Sequence, residues 1–417
     1  MKNVLEWLEA TVAKYPDKPA FSDTESSITF RQVYDIARNT GAYLVEQLGV
    51  DRTPVAVFAG RKMVTPAYFL GVVYAGRPYA PIDASLPDKR IEKILENLCP
   101  RAIVADRESR EHVESIVDEL AKAEGFDRPQ IFIAEDISHF EQVACADSNC
   151  KISESSGDAV TDSENDTDGG VVAGCAGKTD DSALEKLATV RRQMSMTDPL
   201  YIIYTSGSTG NPKGVMTSHL SLMTYINAYC DVMHIEESDV LGNQSPLDYI
   251  AAIRDIYLPL KTGCSTAIIP KEYFMEPNAL FDYMNDKKVS SVGWSVSAFT
   301  ILTSLGAFEE VGLKSLRKIC FSGSVMPCRV LRKWQENLPE AHFVNQYGPT
   351  EATASCTYYS VDQSWRWAII MIRRGQLRHL HSIHSTGLIL SGCTAPGITE
   401  GSMKPAYFIS VDVWTAR

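Results

Sequence analysis

The sequence lacks the long apolar runs of membrane proteins. No stretch of 18 or more consecutive apolar residues occurs among its 417 residues, so no membrane span is expected. The N-terminal segment carries acidic residues between its apolar positions and has no small-residue cleavage site. With Leu5, Leu8 and Val12 on one face, this segment predicts an amphipathic helix rather than a signal peptide.

Paired cysteines and excess positive charge are also missing. The ten cysteines are scattered without a C-x-x-C pair, which in a long chain indicates reduced thiols rather than a disulfide framework. The formal net charge of −12 argues against sequence-independent nucleic-acid binding, which depends on cationic contacts to phosphate. We therefore expect a cytoplasmic protein without a nucleic-acid partner.

Short apolar segments alternate with helical patterns along most of the chain. Residues 27–49 begin as a strand and continue as an amphipathic helix. Alternation of this kind favours an α/β architecture with a mostly parallel sheet. Further short buried strands are predicted at residues 54–60, 102–106, 130–135, 265–270 and 318–323.

Two regions interrupt this alternation. Residues 147–182 hold nine acidic residues and two lysines, and no aromatic residue occurs between Phe140 and Tyr201. Such a composition predicts a mobile acidic insertion, with an acidic docking segment as the alternative.

Residues 364–417 reverse the charge balance, with six basic and two acidic residues, and show poor periodicity. We interpret this tail as atypical sequence, and its histidines do not show the spacing of a zinc site.

One segment, YTSGSTGNPKGV at residues 204–215, is typical of a phosphate-binding loop. It follows an apolar, β-branched run and precedes apolar residues at helical spacing, so we predict a loop between a strand and a helix. Glycines allow close backbone approach to a ligand, hydroxyls and backbone amides donate hydrogen bonds, and Lys213 adds a positive charge. The Gly-Lys-Ser/Thr order of the common P-loop is absent, because Pro212 precedes Lys213 and Gly214 follows it. A flexible Ser/Gly linker is the alternative interpretation.

Two more segments share a family pattern with this loop. GVVYAGRPYAPIDASLPDKRI at residues 71–91 and NQYGPTEAT at residues 345–353 flank it in the chain. Together the three segments resemble the motifs of the adenylate-forming superfamily, which includes acyl-CoA synthetases, luciferases and peptide-synthetase adenylation domains. Within that superfamily, the chain most resembles amino-acid adenylation domains and D-alanine–carrier-protein ligases. The resemblance covers residues 1–362, which we take as the AMP-binding large domain.

The resemblance implies a fold and a chemistry. The large N-terminal domain of this family is α/β, with two β-sheets packed with helices in α-β-α-β-α layers. The implied reaction forms an acyl-adenylate from ATP and a carboxylic acid, and the implied substrate is a small amino acid or a similar acid. The acyl group then passes to the phosphopantetheine thiol of a carrier protein, or to CoA. ATP and Mg²⁺ are the implied cofactors.

The resemblance also implies roles for particular residues. The phosphate loop would hold the β- and γ-phosphates, the segment around residue 347 would bind adenine and the α-phosphate, and one carboxylate would bind Mg²⁺. The implied catalytic residues are Lys213, Thr350 and Glu351, with Glu351 as the Mg²⁺ ligand. The implied nucleotide-binding residues are Thr205, Ser206, Gly207, Ser208, Thr209, Gly210, Lys213, Gly323, Ser324, Asn345, Gln346, Tyr347, Gly348, Pro349 and Thr350.

The substrate pocket departs from the family pattern. Amino-acid-activating members place an Asp against the substrate ammonium, and Ile250 stands at that position here. The nearest acid, Asp248, lies two residues earlier, which on a strand would keep the same face. An apolar Ile250 favours an acid without an α-amine, or an amino acid recognised differently. His219, Ser322 and Ala354 complete the implied substrate residues, although a lone histidine on a helix more often packs in the core.

The tail departs further from the family pattern. Members of the family continue with a β-barrel subdomain, a ribose-binding Asp and a small C-terminal domain that carries a catalytic lysine. These parts are incomplete or absent in this sequence, where Thr386 and Gly387 are followed by Leu388. We interpret the tail from Ser364 as out of frame or truncated. We therefore expect weak nucleotide binding and impaired adenylation, with an acyl- or aryl-CoA ligase or a non-catalytic nucleotide-binding remnant as alternative functions.

Overall fold

The computed structural model describes residues 2–123, 125–138, 181–206 and 211–361, with backbone alone for residues 181–184. The predicted acidic insertion at 147–182 lies outside the described residues, apart from its last two positions, which begin a helix. The tail at 364–417 also lies outside them, so its interpretation stays a prediction.

The described chain contains fourteen strands, most of them short and apolar. The five segments predicted as buried strands all form strands, although the one at Gln130–Ile133 is only partly buried because it lies at a sheet edge. The strands are β1 (Pro19–Ser22), β2 (Ser27–Thr29), β3 (Val55–Phe58), β4 (Tyr79–Ile82), β5 (Ala102–Ala105), β6 (Gln130–Ile133), β7 (Pro199–Ser206), β8 (Pro212–Ser218), β9 (Val240–Asn243), β10 (Ser265–Ile268), β11 (Ser291–Ser295), β12 (Lys318–Ser322), β13 (His342–Tyr347) and β14 (Thr357–Val361).

Twelve α-helices accompany these strands within the described ranges. The predicted N-terminal amphipathic helix forms, with Leu5, Leu8 and Val12 buried. The helices are α1 (Leu5–Lys14), α2 (Phe30–Leu48), α3 (Thr65–Tyr74), α4 (Asp88–Leu98), α5 (Arg110–Leu120), α6 (Ala134–Ser138), α7 (Asp181–Gln193), α8 (His219–Met233), α9 (Ile253–Thr262), α10 (Pro277–Asp286), α11 (Val296–Ser304) and α12 (Cys328–Asn337), with short 3₁₀ helices at Ile250–Ala252, Lys271–Met275 and Thr350–Ala352.

Two sheets organise the fold. The first has eight strands in the order β14-β13-β12-β11-β9-β10-β1-β2, and its inner strands are parallel while β2 and β14 are antiparallel edges. The second has six strands in the order β6-β5-β3-β4-β7-β8, parallel except for β8. This mostly parallel arrangement agrees with the α/β alternation of the sequence.

Three hydrophobic cores separate the layers. One core joins α4 and α5 to the outer face of the six-stranded sheet. A central core joins α1, α2, α3, α8 and α9 to the inner faces of both sheets. A third core joins α10, α11 and α12 to the outer face of the eight-stranded sheet. The predicted order of α-β-α-β-α layers is therefore confirmed.

The central helices are shaped by local sequence. Thr29 accepts a hydrogen bond from the Gln32 backbone amide, and the Gln32 side chain accepts one from the Thr29 amide, so α2 begins with a capping box. A Cβ on Gly41 would lie 2.5 Å from the Tyr74 Cβ, and a Cβ on Gly71 would lie 2.5 Å from the Thr40 side chain. These two glycines allow α2 and α3 to pack closely between the sheets.

No helix within the described ranges has both the length and the apolar character that crossing a bilayer requires.

Candidate functional site

The candidate site begins at one edge of the eight-stranded sheet, where parallel strands end together. Ser295 of β11 pairs with Ser322 of β12, and Phe321 of β12 pairs with Asn345 of β13. The predicted residues Ser322, Asn345 and Gln346 therefore lie side by side. In open α/β sheets, ligands bind at the carboxyl ends of the strands, so these positions suit a binding site.

The loop after β12 leaves the sheet through a glycine. Gly323 has a φ of 94°, in the left-handed region that side chains rarely adopt, and both Gly323 and Ser324 are exposed. The chain turns away immediately after Ser322 for this reason. The predicted Gly323 and Ser324 thus lie at the carboxyl end of β12, next to the end of β13.

The turn between β13 and β14 presents an aromatic ring on a tightly packed backbone. The Tyr347 side chain is 43% exposed, and the Cys356 amide donates to the Tyr347 carbonyl oxygen at 3.0 Å. A Cβ on Gly348 would lie 2.5 Å from the Ser355 Cα, so this turn accepts only glycine without a backbone shift. Pro349 follows in an extended conformation before the next turn.

A strained 3₁₀ turn follows at Thr350–Ala352. Thr353 and Ala354 have positive φ angles of 53° and 72°, which are uncommon for residues with side chains. Strained backbone of this type clusters at ligand sites, where the surrounding structure maintains it. Glu351 is exposed at the centre of this turn.

The Glu351 carboxylate suits a hard metal ion. Magnesium prefers oxygen ligands and commonly binds through one or two carboxylates together with substrate phosphates and water. Among the residues that the structure describes, no group of three or more His, Cys, Asp or Glu side chains converges as a metal site. A Mg²⁺ ion at Glu351 would therefore take its other ligands from phosphate oxygens and water.

The glycine-rich segment forms a hairpin, which corrects the sequence prediction. The run before it is a strand as expected, but the segment after it is a second strand, β8, and helix α8 begins only at His219. Thr205 pairs with Lys213, and Ser206 pairs with Pro212. The four predicted loop residues between them, Gly207, Ser208, Thr209 and Gly210, lie outside the described residues.

The hairpin places Lys213 at the second position of β8, where it is exposed. Helix α4 supports the hairpin from outside. The Lys93 ammonium donates to Asn211 Oδ1 at 3.1 Å, and the Tyr204 hydroxyl donates to Asn97 Oδ1 at 2.8 Å. Helix α4 begins at the end of the first family-like segment, and its later residues Lys93 and Asn97 make these contacts.

One arginine joins the two sheets at this end of the molecule. Arg61 follows β3, and its guanidinium donates to the carbonyl oxygens of Ile269 at 2.6 Å and Asn243 at 2.8 Å. It also donates to Asn243 Oδ1 at 2.8 Å. Burial lowers the pKa of Arg61 to about 10, which leaves it charged at neutral pH. The carboxyl ends of strands from both sheets are thereby held at the same end of the fold.

His219 lies away from Lys213, and its implied substrate role stays a prediction. It is buried at the start of α8, at the opposite end of β8 from Lys213, which is roughly 17 Å along the strand. Its Nδ1 accepts a weak hydrogen bond from the Val4 amide at 3.4 Å. Burial, with a smaller contribution from Arg191, lowers the pKa of His219 to about 3. His219 is therefore a neutral core residue against α1.

Asp248 and Ile250 lie in the connection between β9 and α9. The strand geometry assumed for Asp248 is wrong, because it lies in a turn and Ile250 begins a 3₁₀ helix. Ile250 is buried, and Asp248 is half-buried. Burial, with repulsion from Asp83, raises the pKa of Asp248 to about 6. Asp248 therefore lies near Asp83 of the first family-like segment. It does not share a strand face with Ile250, as the sequence had suggested.

The sequence reasoning missed a buried polar group behind these residues. Arg254 and Asp255 are each 3% exposed, and the Asn243 amide donates to Asp255 Oδ2 at 3.0 Å. Burial raises the pKa of Asp255 above its ordinary value, although Arg254 opposes that rise. An Arg-Asp pair inside the otherwise apolar run IAAIRDIYLPL was the available signal, since charged residues are rarely fully buried.

Comparison with known proteins identifies the family. The AMP-binding enzyme family matches residues 8–396, and the chain belongs to this family. A D-alanine–D-alanyl carrier protein ligase of Bacillus cereus strain AH187 is 27% identical over 355 residues, which cover 85% of this chain and 60% of the ligase. The corresponding ligase of Bacillus thuringiensis strain Al Hakam is 28% identical with the same coverage. The chain spans about 60% of the length of these curated relatives.

Solved structures of low sequence identity share the fold. The nonribosomal peptide synthetase FmoA3 superposes with a TM-score of 0.67 at 19% identity, over 88% of this chain and 34% of the synthetase chain. The N-terminal domain of FACL13 from Mycobacterium tuberculosis has a TM-score of 0.63 at 18% identity, over 86% of this chain and 78% of that domain. The predicted family and the large-domain fold are therefore both confirmed.

Proposed function

We propose that this chain binds ATP and Mg²⁺ and activates a carboxylic acid as an acyl-adenylate. A carboxylate oxygen of the acid forms a bond to the α-phosphorus, and the bond from that phosphorus to the bridging oxygen of pyrophosphate breaks. A thiolate then attacks the acyl carbon, a thioester forms and AMP leaves, while the thiol proton passes to solvent. The thiol proposed is the phosphopantetheine of a carrier protein.

One observation supports this proposal above the others. The hairpin that carries Lys213 and the turn that carries Tyr347, Thr350 and Glu351 both follow strand ends, and Arg61 holds the strand ends of the two sheets together. A cation, an exposed aromatic ring and an exposed carboxylate are the groups that a Mg²⁺-nucleotide needs. Within the described residues, neither Lys213 nor Glu351 forms a salt bridge, which leaves both side chains available to a ligand.

The proposed roles follow the chemistry of each group. Lys213 and the hydroxyls of Thr205 and Ser206 would neutralise and orient the terminal phosphates, a role shared with the predicted loop residues 207–210. Tyr347 would stack on the adenine ring, since its exposed face offers a flat apolar surface. Glu351 would hold Mg²⁺, which would offset negative charge on the phosphates.

The α-phosphate would lie against Thr350 in the same proposal. Its hydroxyl can donate to a phosphate oxygen at the point where the acid attacks. The neighbouring Asn345 and Gly323 would border the adenine ring from the adjoining strand end. The proposed substrate is a small amino acid or a similar acid, and Ile250 favours recognition that does not rest on an Asp at that position.

The first test measures nucleotide binding by the unmodified chain. Isothermal titration of Mg²⁺-ATP is expected to show binding that Lys213→Ala weakens roughly tenfold or more, because a charge-assisted phosphate contact is lost. Lys261→Gln removes a cation from helix α9 and serves as the matched control, with unchanged affinity expected. Equal affinity of the Lys213→Ala and unmodified chains would contradict the assignment of the hairpin to phosphate.

The second test measures chemistry. ATP–pyrophosphate exchange with Mg²⁺ and a panel of small acids, D-alanine included, is expected to depend on the acid. ATP binding without any acid-dependent exchange would instead support the alternative of a non-catalytic nucleotide-binding protein.

A further inference from the structure

A buried arginine lies behind the proposed acid site. Arg254 sits in the first turn of α9, one helical turn after Ile250, and only 3% of its surface is exposed. Its Nε has no hydrogen-bond partner among the described residues. Burying a guanidinium N–H without an acceptor is costly, so the unmatched Arg254 Nε points to an acceptor that the described residues do not supply.

The fold makes room for this side chain against the eight-stranded sheet. A Cβ on Gly293 of β11 would lie 2.1 Å from the Arg254 Nε and 2.4 Å from its Cζ. The guanidinium therefore packs directly on the backbone of β11, in a space that only glycine leaves open. On its other side, the Tyr229 ring centroid lies 5.9 Å from the guanidinium carbon.

The nearby charges do not satisfy the arginine fully. Asp255 Oδ1 lies 3.4 Å from the Arg254 Nε, a salt-bridge distance without a hydrogen bond. The other Asp255 oxygen accepts a hydrogen bond from Asn243, whose carbonyl and side-chain oxygens accept from Arg61. Arg61 also lies close enough to the Glu272 carboxylate for that charge to oppose the fall in its pKa. Asp255 is therefore the anion that faces Arg254, and it leaves the Arg254 Nε without a hydrogen bond.

A second unmatched polar atom lies on the same face of the sheet. Side chains alternate along β13, so Gln346 faces the same side as Val344, which belongs to the central core. Gln346 is 6% exposed, and its Oε1 has no hydrogen-bond partner within the described ranges. Ser295 and Ser322 lie on this face as well, one pleat beyond Gly293 and Cys320, so the side chains between Arg254 and the strand ends are short.

We propose that Arg254 binds a second carboxylate of the substrate, so that the chain selects a short dicarboxylic acid, such as an amino dicarboxylic acid. This inference rests on the proposed function. The carboxylate to be activated must lie near Thr350, beyond the end of β13. Gly293 is level with Val344, three residues before that end, which is a distance of roughly 10 Å. A four- or five-carbon diacid bonded at both ends covers this distance.

Gln346 and Arg254 have complementary parts in this proposal. The guanidinium supplies paired donors that match a carboxylate, and these charge-assisted bonds are stronger than neutral ones. The Gln346 side chain can donate its amide hydrogens to the same acid or accept from a substrate amine. A purely structural Arg254, held by Asp255 and Tyr229, would contribute to stability without affecting which acid binds.

The experiment measures binding of acids to the full chain in the presence of Mg²⁺ and a non-hydrolysable ATP analogue. The probes are the two enantiomers of aspartate and of glutamate, and succinate, each compared with the acid in which one carboxylate is replaced by an amide: asparagine, glutamine or succinamic acid. Binding of the nucleotide analogue is titrated first. At least one diacid is expected to bind about tenfold or more tightly than its amide, because the amide leaves the guanidinium unmatched.

Three variants assign the preference to Arg254. Arg254→Met keeps much of the volume without the charge, and is expected to remove the preference for the diacid while nucleotide affinity is unchanged. Arg254→Lys keeps the charge, and is expected to retain part of the preference. Lys261→Gln, on the last turn of the same helix, is the control and is expected to behave as the unmodified chain.

The outcomes separate the inference from the proposed function. If the nucleotide analogue does not bind, the proposed function fails and the inference fails with it. If the analogue binds but the unmodified chain shows no diacid preference, or binds no acid, the inference alone is overturned. The same holds if Arg254→Met retains the preference. Should Arg254→Met fail to fold, the diacid preference of the unmodified chain and its partial retention in Arg254→Lys decide the question.

Discussion

At the scale of single residues, burial decides the chemistry of the titratable side chains. His219 illustrates this, because its sequence position suggested a site residue while its environment is a dry core beside α1. The two protonation states of such a histidine differ greatly in free energy, since a charged imidazole loses its hydration there. Its role is therefore visible in the pH dependence of stability rather than in ligand binding.

His219 is expected to make the protein sensitive to acid. Its folded-state pKa of about 3 lies below the ordinary value of 6.5. Below pH 6.5 the unfolded chain binds a proton at His219 that the folded chain does not bind. The contribution of His219 to the free energy of unfolding is therefore present above pH 6.5 and is lost as the pH falls towards 3. Between pH 7.5 and 5, the unmodified chain should lose about 2 kcal/mol more stability than His219→Asn, whose amide oxygen can replace the Nδ1 acceptor.

Urea unfolding of both chains at the two pH values measures this difference. His112→Asn is the control, because His112 is half-exposed and pairs with Asp88 at the surface. The stability of the His112→Asn chain should change with pH as that of the unmodified chain does, and not as that of His219→Asn does. Parallel loss of stability in the His219→Asn and unmodified chains would show that the histidine is hydrated.

At the scale of secondary structure elements, the sequence predicted strands better than it predicted the hairpin. Apolar runs bounded by turn residues identified β3, β5, β10 and β12, since four buried residues in succession leave a clear pattern. Strand β8 was assigned to the following helix, because Val215 and Met216 fit a helical pattern as well as a strand. Short apolar segments are ambiguous in this way, and only the pairing with β7 decides between the two.

The functional residues also differ in how well the sequence predicts them, according to whether their spatial neighbours are close in sequence. Motif segments fixed in local turns, such as Tyr347 to Ala354, could be predicted because their neighbours in sequence are their neighbours in space. For Arg254 the sequence offers one signal, a charged pair inside an apolar run, but its surroundings could not be predicted because they come from β11, β9 and α8. Gly293 allows the guanidinium to approach β11 although it lies 39 positions away in the chain, and no local pattern marks that pairing.

The β13–β14 turn is expected to depend on Gly348. A Cβ there would lie 2.5 Å from Ser355 Cα and 2.8 Å from the Ala354 carbonyl oxygen, so Gly348→Ala must shift the backbone of the turn. Such overpacking typically costs about 1 to 3 kcal/mol. The variant should unfold at a lower urea concentration and should also bind Mg²⁺-ATP more weakly, since the turn carries Tyr347 and Glu351.

Gly312→Ala is the matched control for this substitution. A Cβ on Gly312 meets no atom within 4 Å, so the control should keep both stability and nucleotide affinity. The prediction would be wrong if the two alanine variants had the same urea midpoint. A stable Gly348→Ala chain with weakened nucleotide binding would place the effect in the site alone.

At the scale of the whole molecule, two sheets with separate outer cores meet through one central core and through Arg61. The matched family extends over residues 8–396, while the described structure ends at residue 361. Within the described part, the proposed phosphate hairpin belongs to the six-stranded sheet and the proposed adenine turn to the eight-stranded one. A nucleotide held by both would bridge the sheets, so the relative placement of the sheets matters for affinity.

Arg61→Met is expected to loosen this junction. The substitution removes the bonds to Ile269 and Asn243 and leaves their carbonyl oxygens short of a donor, at a cost of at least about 2 kcal/mol. Arg101→Met is the control, since Arg101 is half-exposed and pairs with Asp51 at the surface, where such pairs contribute about 0 to 1 kcal/mol. Urea unfolding compares the two variants, and equal losses would indicate that the Arg61 bonds add no more than a surface pair.

The chemistry of the Arg61 acceptors has a consequence for sequence divergence. Two of its bonds end on main-chain oxygens, which every residue type carries, and only the third uses the Asn243 side chain. Position 269 can therefore drift among apolar residues without weakening the contact, whereas position 61 cannot change even to lysine without losing the forked geometry. Relatives that keep this junction should show a constant arginine opposite a variable partner, a one-sided pattern that pairwise covariation would not detect.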